Sequence, residues 1–110
     1  MINITIYKNA EDVITGFKVS GHAGYANAGS DIVCSAVSAL VINTINSIGH
    51  FTSDRFSLDQ DEKKGLIEFH MISQPGSDAS LLLNSLALGL NGVMEEYSDS
   101  YIRVTQVKSN

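Results

Sequence analysis

The sequence is poor in cysteine and in basic residues, and both shortages exclude whole classes of site. A single cysteine, Cys34, excludes an internal disulfide and any zinc site that needs two thiolates. The sequence has seven Lys and Arg residues and twelve Asp and Glu residues, which gives a net charge of −5, and the basic residues are scattered along it. Because phosphate contacts need clustered basic side chains, we expect no direct nucleic-acid binding. An acidic surface suits a basic partner instead.

The sequence also lacks a long unbroken apolar run. No such run approaches the ~20 residues that span a bilayer. The N-terminus alternates polar and apolar residues and shows no signal-peptide core. We therefore expect no membrane segment and a cytoplasmic location. The chain has 110 residues, of which 44% are hydrophobic and 17% charged, so we expect one folded domain over residues 1–110.

The spacing of apolar residues predicts five strands and two helices. Two-residue alternation is typical of strands, and apolar residues three or four positions apart are typical of amphipathic helices. The order ββαββαβ predicts an α+β fold, with two helices packed against a mainly antiparallel sheet of about five strands. The predicted strands cover residues 2–7, 13–20, 55–59, 66–72 and 101–107. The predicted helices cover 30–49 and 77–97, with Ser77 as the capping residue of the second helix.

The thiol lies in a stretch that leaves a strand with His22 and crosses a glycine-containing loop. A capping residue at Asp31 would make Cys34 the third helical position, and a cap at Ser30 would make it the fourth. The positive end of a helix stabilises an anion by up to ~2 kcal/mol, which favours a thiolate without completing its formation. An imidazolium is needed as well, and His22 is the only histidine in this stretch.

Structural interpretations of these residues compete with the catalytic one. A lone cysteine on an apolar helix is usually a core residue. Ser35 and Ser38 make the surroundings of Cys34 polar, which favours a site. Asp31 is explained by capping as well as by orienting His22. Free N–H groups at the helix start are candidate donors to an oxyanion.

Two other classes of function fit the same thiol. One is a binding or assembly protein that performs no chemistry and in which Cys34 is only packed. The other is a thiol-transfer enzyme, although the sequence has no second cysteine to resolve a mixed disulfide. His50 is interpreted as structural at a helix end and His70 as solvated beside Glu68, so no metal site is expected.

The stretch around the thiol resembles one protein family. Gly21-His22-Ala23, then Gly29, then the run DIVCSAVSA at residues 31–39 are similar to the ribosomal-processing cysteine proteases of Firmicutes and related bacteria. The two opening strands, the Glu95-Glu96-Tyr97 end of the second helix and the last strand extend this resemblance over nearly the whole chain.

The resemblance implies an activity and a set of site residues, and under the binding alternative it implies a non-catalytic assembly protein that associates with the ribosome. Members of the family remove a short N-terminal extension from large-subunit ribosomal protein twenty-seven, and they form homodimers without a cofactor. Their catalytic histidine corresponds to His22 and their nucleophile to Cys34. Further motif positions, with supporting or substrate-binding roles, correspond to Gly21, Asp31, Val33 and Ser38. The segment from Gly24 to Gly29 is then a candidate flexible flap that orders over the peptide.

Overall fold

The computed structural model describes residues 1–21, 28–97 and 101–109. Alternating apolar residues form strands and periodic apolar residues form helices in the predicted order ββαββαβ. The elements are β1 (Ile2–Lys8), β2 (Ile14–Ser20), α1 (Ala28–Phe51), β3 (Phe56–Asp61), β4 (Leu66–Met71), α2 (Ser77–Tyr97) and β5 (Ile102–Lys108).

The five strands form one mixed sheet in the order β3-β4-β2-β1-β5. The predicted hairpins β1–β2 and β3–β4 are confirmed as antiparallel pairs. β2 also pairs antiparallel with β4, whereas β5 pairs parallel with β1. The sheet is therefore mainly antiparallel, as predicted. β2 and β4 are neighbours in the sheet, although α1 and β3 separate them along the chain.

Both helices pack against the sheet face that carries Ile4, Phe17 and Phe69, and all three side chains are fully buried. The rings of Phe17 and Phe69 stack with centroids 4.9 Å apart, which ties β2 to β4. On α1 the buried stripe includes Val37 and Ile48, as the periodicity predicts. Removing these side chains from water supplies most of the stabilisation, at about 1.5–3 kcal/mol for each large one.

The predicted helix bounds need three corrections. α1 begins at Ala28 rather than Ser30 and continues to Phe51 rather than Gly49. In α2, Ser77 is the first helical residue, and the capping position is Gly76. The Gly76 carbonyl accepts the N–H of Ser80, and the Asp54 carboxylate accepts the Gly76 N–H at 2.8 Å.

One part of α1 has a composition that was not expected from the absence of a long unbroken apolar run. The stretch Ile32–Phe51 is long and apolar enough to cross a bilayer by length and composition alone. In the structure one side of this stretch is buried against the sheet, through Val37, Val41 and Ile48. The same composition is typical of the core helix of a globular fold.

Candidate active site

A cavity of about 310 Å³ lies where the first half of α1 crosses one end of the sheet. This is the end at which β1 and β4 begin and β2 and β3 finish. Its floor and walls are mainly apolar, from Ile2, Val19 and Ile67 on the strands and from Val37 and Ile42 on α1. Such a cavity can hold a side chain of a peptide.

Cys34 lines this cavity, and its side chain is only partly buried. Ser38, one helical turn further along α1, lines it too and is exposed. Val33 is fully buried in the core instead, so its side chain does not reach the cavity. Of these predicted site residues, the structure brings Cys34 and Ser38 together and directs the Val33 side chain into the core.

The position of Cys34 in its helix differs from the prediction. Cys34 lies six residues after Ala28, the first residue of α1, and not at the third or fourth position. The dipole effect falls off within the first turn, and the N–H groups that lack a helical partner belong to residues before Cys34. The helix start therefore gives the thiolate less support than predicted, and a base must supply more of it.

Gly21 also lines the cavity, directly after β2. Its φ is +87°, a conformation that favours glycine. A Cβ built at Gly21 would lie 2.5 Å from the carbonyl oxygen of Met1, so any larger residue would displace the chain. Gly21, which directly precedes His22 in the chain, therefore lies at the cavity that contains the thiol.

Several predicted site residues fall outside what the structure describes. These are His22, Gly24 and the rest of the predicted flap up to residue 27. Gly29 lies in the first turn of α1, so a flap extending to Gly29 is wrong in its last two residues. The backbones of Ser30 and Asp31 are helical, so neither residue is the capping residue that precedes α1.

Sequence reasoning missed one wall of the cavity. The turn between β3 and β4 contributes Asp61, Glu62 and Gly65, followed by Leu66. Its charged sequence predicts a turn, but no local signal connects it to the thiol. The connection follows from the long-range pairing of Val19 on β2 with Ile67 on β4.

The two other histidines lie elsewhere. His50 is exposed in the last turn of α1, edge-on to the Phe51 ring. His70 contacts Glu68, with 2.8 Å between Nε2 and Oε2, on the sheet face opposite the helices. Within residues 1–21, 28–97 and 101–109, no three His, Cys, Asp or Glu side chains are grouped to hold a metal ion.

The chain is similar in sequence to known proteins of one family. The sequence profile of the family described as cysteine protease Prp matches residues 1–103. The chain is 30% identical over 100 residues to the ribosomal processing cysteine protease Prp of Staphylococcus aureus strain Mu50, covering 91% of this chain and 94% of that protein. It is 29% identical over 109 residues to Prp of Bacillus subtilis strain 168, covering 96% of each chain.

Solved structures extend the similarity to the fold. A crystal structure of an essential ribosomal processing protease Prp from S. aureus with a substrate peptide matches with a TM-score of 0.89 at 29% identity, covering 97% of this chain and 100% of that one. The same protease with a covalently linked product peptide matches with a TM-score of 0.88 at 30% identity, with the same coverage.

The family, the fold and the cavity at the single thiol agree on one class of enzyme. The profile covers nearly the whole chain, and the relatives are named cysteine proteases. The chain therefore belongs to the cysteine protease Prp family.

Proposed function

We propose that this protein removes a short N-terminal extension from large-subunit ribosomal protein twenty-seven, with Cys34 as nucleophile and His22 as its base. One observation carries the proposal. Cys34 and Gly21, the residue that precedes His22, line the same cavity. The catalytic pair of a cysteine peptidase must be within hydrogen-bond reach at some point in the reaction, and a shared cavity permits that.

The reaction proceeds through a thioester. His22 accepts the Cys34 proton, and Sγ forms a bond to the carbonyl carbon of the scissile peptide. The C–N bond then breaks, and the leaving amine takes the proton from His22. His22 next removes a proton from water, which attacks the thioester. The acid product departs, and Cys34 regains its proton.

The cavity walls indicate what the site accepts. Ile2, Val37 and Ile42 present apolar surface beside Cys34. We therefore expect an apolar substrate side chain next to the scissile bond, because burying it here removes apolar area from water. The net charge of −5 favours encounter with a basic ribosomal protein.

Two further parts of the proposal concern the state in which the enzyme works. We propose that it acts in the cytoplasm, where ribosomal proteins are made, and as a homodimer, as its resemblance to the family implies. Light scattering coupled to size exclusion would report a mass near twice the 11.8 kDa of one chain. A single-chain mass at working concentration would refute the dimer without affecting the proposed chemistry.

Incubation with ribosomal protein twenty-seven from the same organism tests the activity. We expect mass spectrometry to show a shortened substrate with one new N-terminus, and Cys34→Ala protein to leave the substrate intact. A second basic ribosomal protein without an N-terminal extension serves as the substrate control. Equal cleavage of both substrates, or of neither, would overturn the assignment of substrate.

A further inference from the structure

The turn between β3 and β4 is held together by one side chain. Oδ1 of Asp61 accepts the backbone N–H of Lys63 at 3.1 Å and of Lys64 at 3.3 Å. Gly65 closes the turn with a φ of +59°, and its N–H donates to the Glu62 carbonyl at 3.2 Å. An aspartate that accepts backbone N–H groups two and three residues onward fixes the shape of a turn.

The same turn is bonded to the strand end that leads into the candidate active site. The Lys64 carbonyl accepts the N–H of Gly21 at 3.4 Å. On its other side Gly21 lies against the Met1 carbonyl, which leaves no room for a Cβ. The backbone of Gly21 is therefore confined between two carbonyl groups, and the Lys64 carbonyl keeps its direction only while the turn keeps its shape.

From this geometry we propose that Asp61 is a positioning residue for catalysis. Its Oδ1 fixes the peptide groups of Lys63 and Lys64, the Lys64 carbonyl anchors Gly21, and Gly21 sets the point from which His22 extends. The proposal rests on the proposed Cys34–His22 chemistry and adds a third residue, which acts through the backbone of Gly21. The Asp61 carboxylate acts through its acceptor oxygen and not through its charge.

The neighbouring residues allow acceptor and charge to be separated. Asp61→Asn retains a side-chain carbonyl oxygen for the two N–H groups and loses the charge. Asp61→Ala loses both. Gly65→Ala strains the same turn at a positive φ and leaves the carboxylate in place. Asp59→Ala is the matched control, because Asp59 is an exposed aspartate two positions earlier on β3.

We expect Asp61→Ala and Gly65→Ala to lower kcat by about tenfold to a hundredfold with little change in KM, because a small displacement of a catalytic group is costly. Asp61→Asn recovers most of that loss, and Asp59→Ala resembles wild type. Equal losses in Asp61→Asn and Asp61→Ala would overturn the proposal in favour of a role for the charge. Wild-type kcat in Asp61→Ala would overturn it altogether.

Hydrogen exchange and alkylation provide readouts that do not depend on the substrate. The Gly21 amide should exchange faster in Asp61→Ala than in Asp61→Asn, and iodoacetamide should label Cys34 at a higher pH in Asp61→Ala. If wild-type protein leaves every ribosomal substrate intact, the proposed function fails while these two comparisons still decide the positioning role. Unchanged Gly21 exchange in Asp61→Ala would refute the anchoring step directly.

Discussion

Two groups of polar side chains, one on the outer face of the sheet and one on α1, differ in what they contact. On the face opposite the helices, His70 is paired with Glu68 and stacks on the Tyr7 ring with centroids 5.2 Å apart. Gly16 lies between them on β2, where a Cβ would be 3.0 Å from Nδ1 of His70. The three side chains are engaged with one another, and none of them lines the cavity that contains Cys34.

At the end of the sheet the arrangement is the opposite. Cys34 and Ser38 face a cavity with apolar walls, and in the nearby turn the Asp61 carboxylate accepts backbone N–H groups of that same turn. The contact between His70 and Glu68 therefore lies apart from the cavity at Cys34. The proposed site combines Cys34, at a space that a substrate can fill, with Gly21, which precedes the proposed base His22 in the chain and lines the same cavity.

The largest expected effect is at the thiol. Cys34→Ala and Cys34→Ser should both reduce cleavage of ribosomal protein twenty-seven to background, because neither side chain supplies a thiolate. Both variants should fold, since Cys34 is only partly buried and the change in stability is about 1 kcal/mol. Mass spectrometry of the substrate and thermal unfolding measure the two outcomes. Cleavage at wild-type rate in either variant would end the nucleophile assignment.

The second effect separates the histidines. His22→Ala should lower kcat by about 10²–10⁴-fold, the usual contribution of a general base, and should raise the pH at which iodoacetamide labels Cys34. His50→Ala and His70→Ala are the controls, and both should retain the wild-type rate and labelling profile. A labelling profile that is the same in His22→Ala and wild type would show that His22 does not pair with the thiol.

A smaller effect is expected at the apolar wall. Ile42 lines the cavity and is 46% exposed, so Ile42→Ala should barely change stability. It should raise KM about tenfold, because truncating an apolar wall weakens the fit of an apolar side chain. Leu81→Ala, at a 68% exposed position on α2, is the matched truncation outside the cavity. Equal KM values in the two variants would mean that this cavity does not bind the substrate.

The smallest effect concerns the paired cluster. Burial raises the pKa of Tyr7, and the Glu68 carboxylate raises this pKa further. Glu68→Gln should lower the pKa of Tyr7 but leave it above its ordinary value, and cleavage should not change. An absorbance titration measures this, with Tyr7→Phe to assign the signal among the four tyrosines. A Tyr7 pKa that does not fall in Glu68→Gln would remove the carboxylate as a cause.

The direction of the Tyr7 pKa shift determines how the stability of the fold changes with pH. Because the folded pKa of Tyr7 is raised, its contribution is fully present below the ordinary tyrosine pKa of about 10 and is lost as pH rises through the folded value. Urea unfolding at increasing alkaline pH should show a smaller loss in Glu68→Gln than in wild type. At neutral pH the partly exposed Glu68–His70 pair should contribute about 1 kcal/mol or less.

Local patterns predicted most of the fold. The second helix was predicted from 77 to 97 and runs from Ser77 to Tyr97, because Pro75 and Gly76 interrupt the chain and the leucines repeat with helical spacing. The start of the first helix was placed two residues late, since Ala28 and Gly29 carry no apolar signal. That error placed Cys34 too near the helix start.

The composition of the candidate site was harder to predict than the fold, because residues far apart in the sequence contribute to it. His22 and Cys34 were chosen because a histidine, a glycine loop and a thiol occur close together along the chain. The wall that contains Asp61 reaches the cavity because β2 pairs with β4, with Val19 opposite Ile67. Such long-range pairing leaves no signal in the sequence of either strand. The Gly21–Lys64 hydrogen bond depends on the same pairing.

Trapping the thioester tests the central claim most directly, namely that Cys34 attacks the peptide at this cavity. Wild-type protein mixed with ribosomal protein twenty-seven and quenched in acid within one turnover should carry the N-terminal extension on Cys34, as seen by intact mass and peptide mapping. The adduct should be absent from Cys34→Ala. Cleavage that proceeds with no adduct at any time, or with the adduct on another residue, would contradict the account.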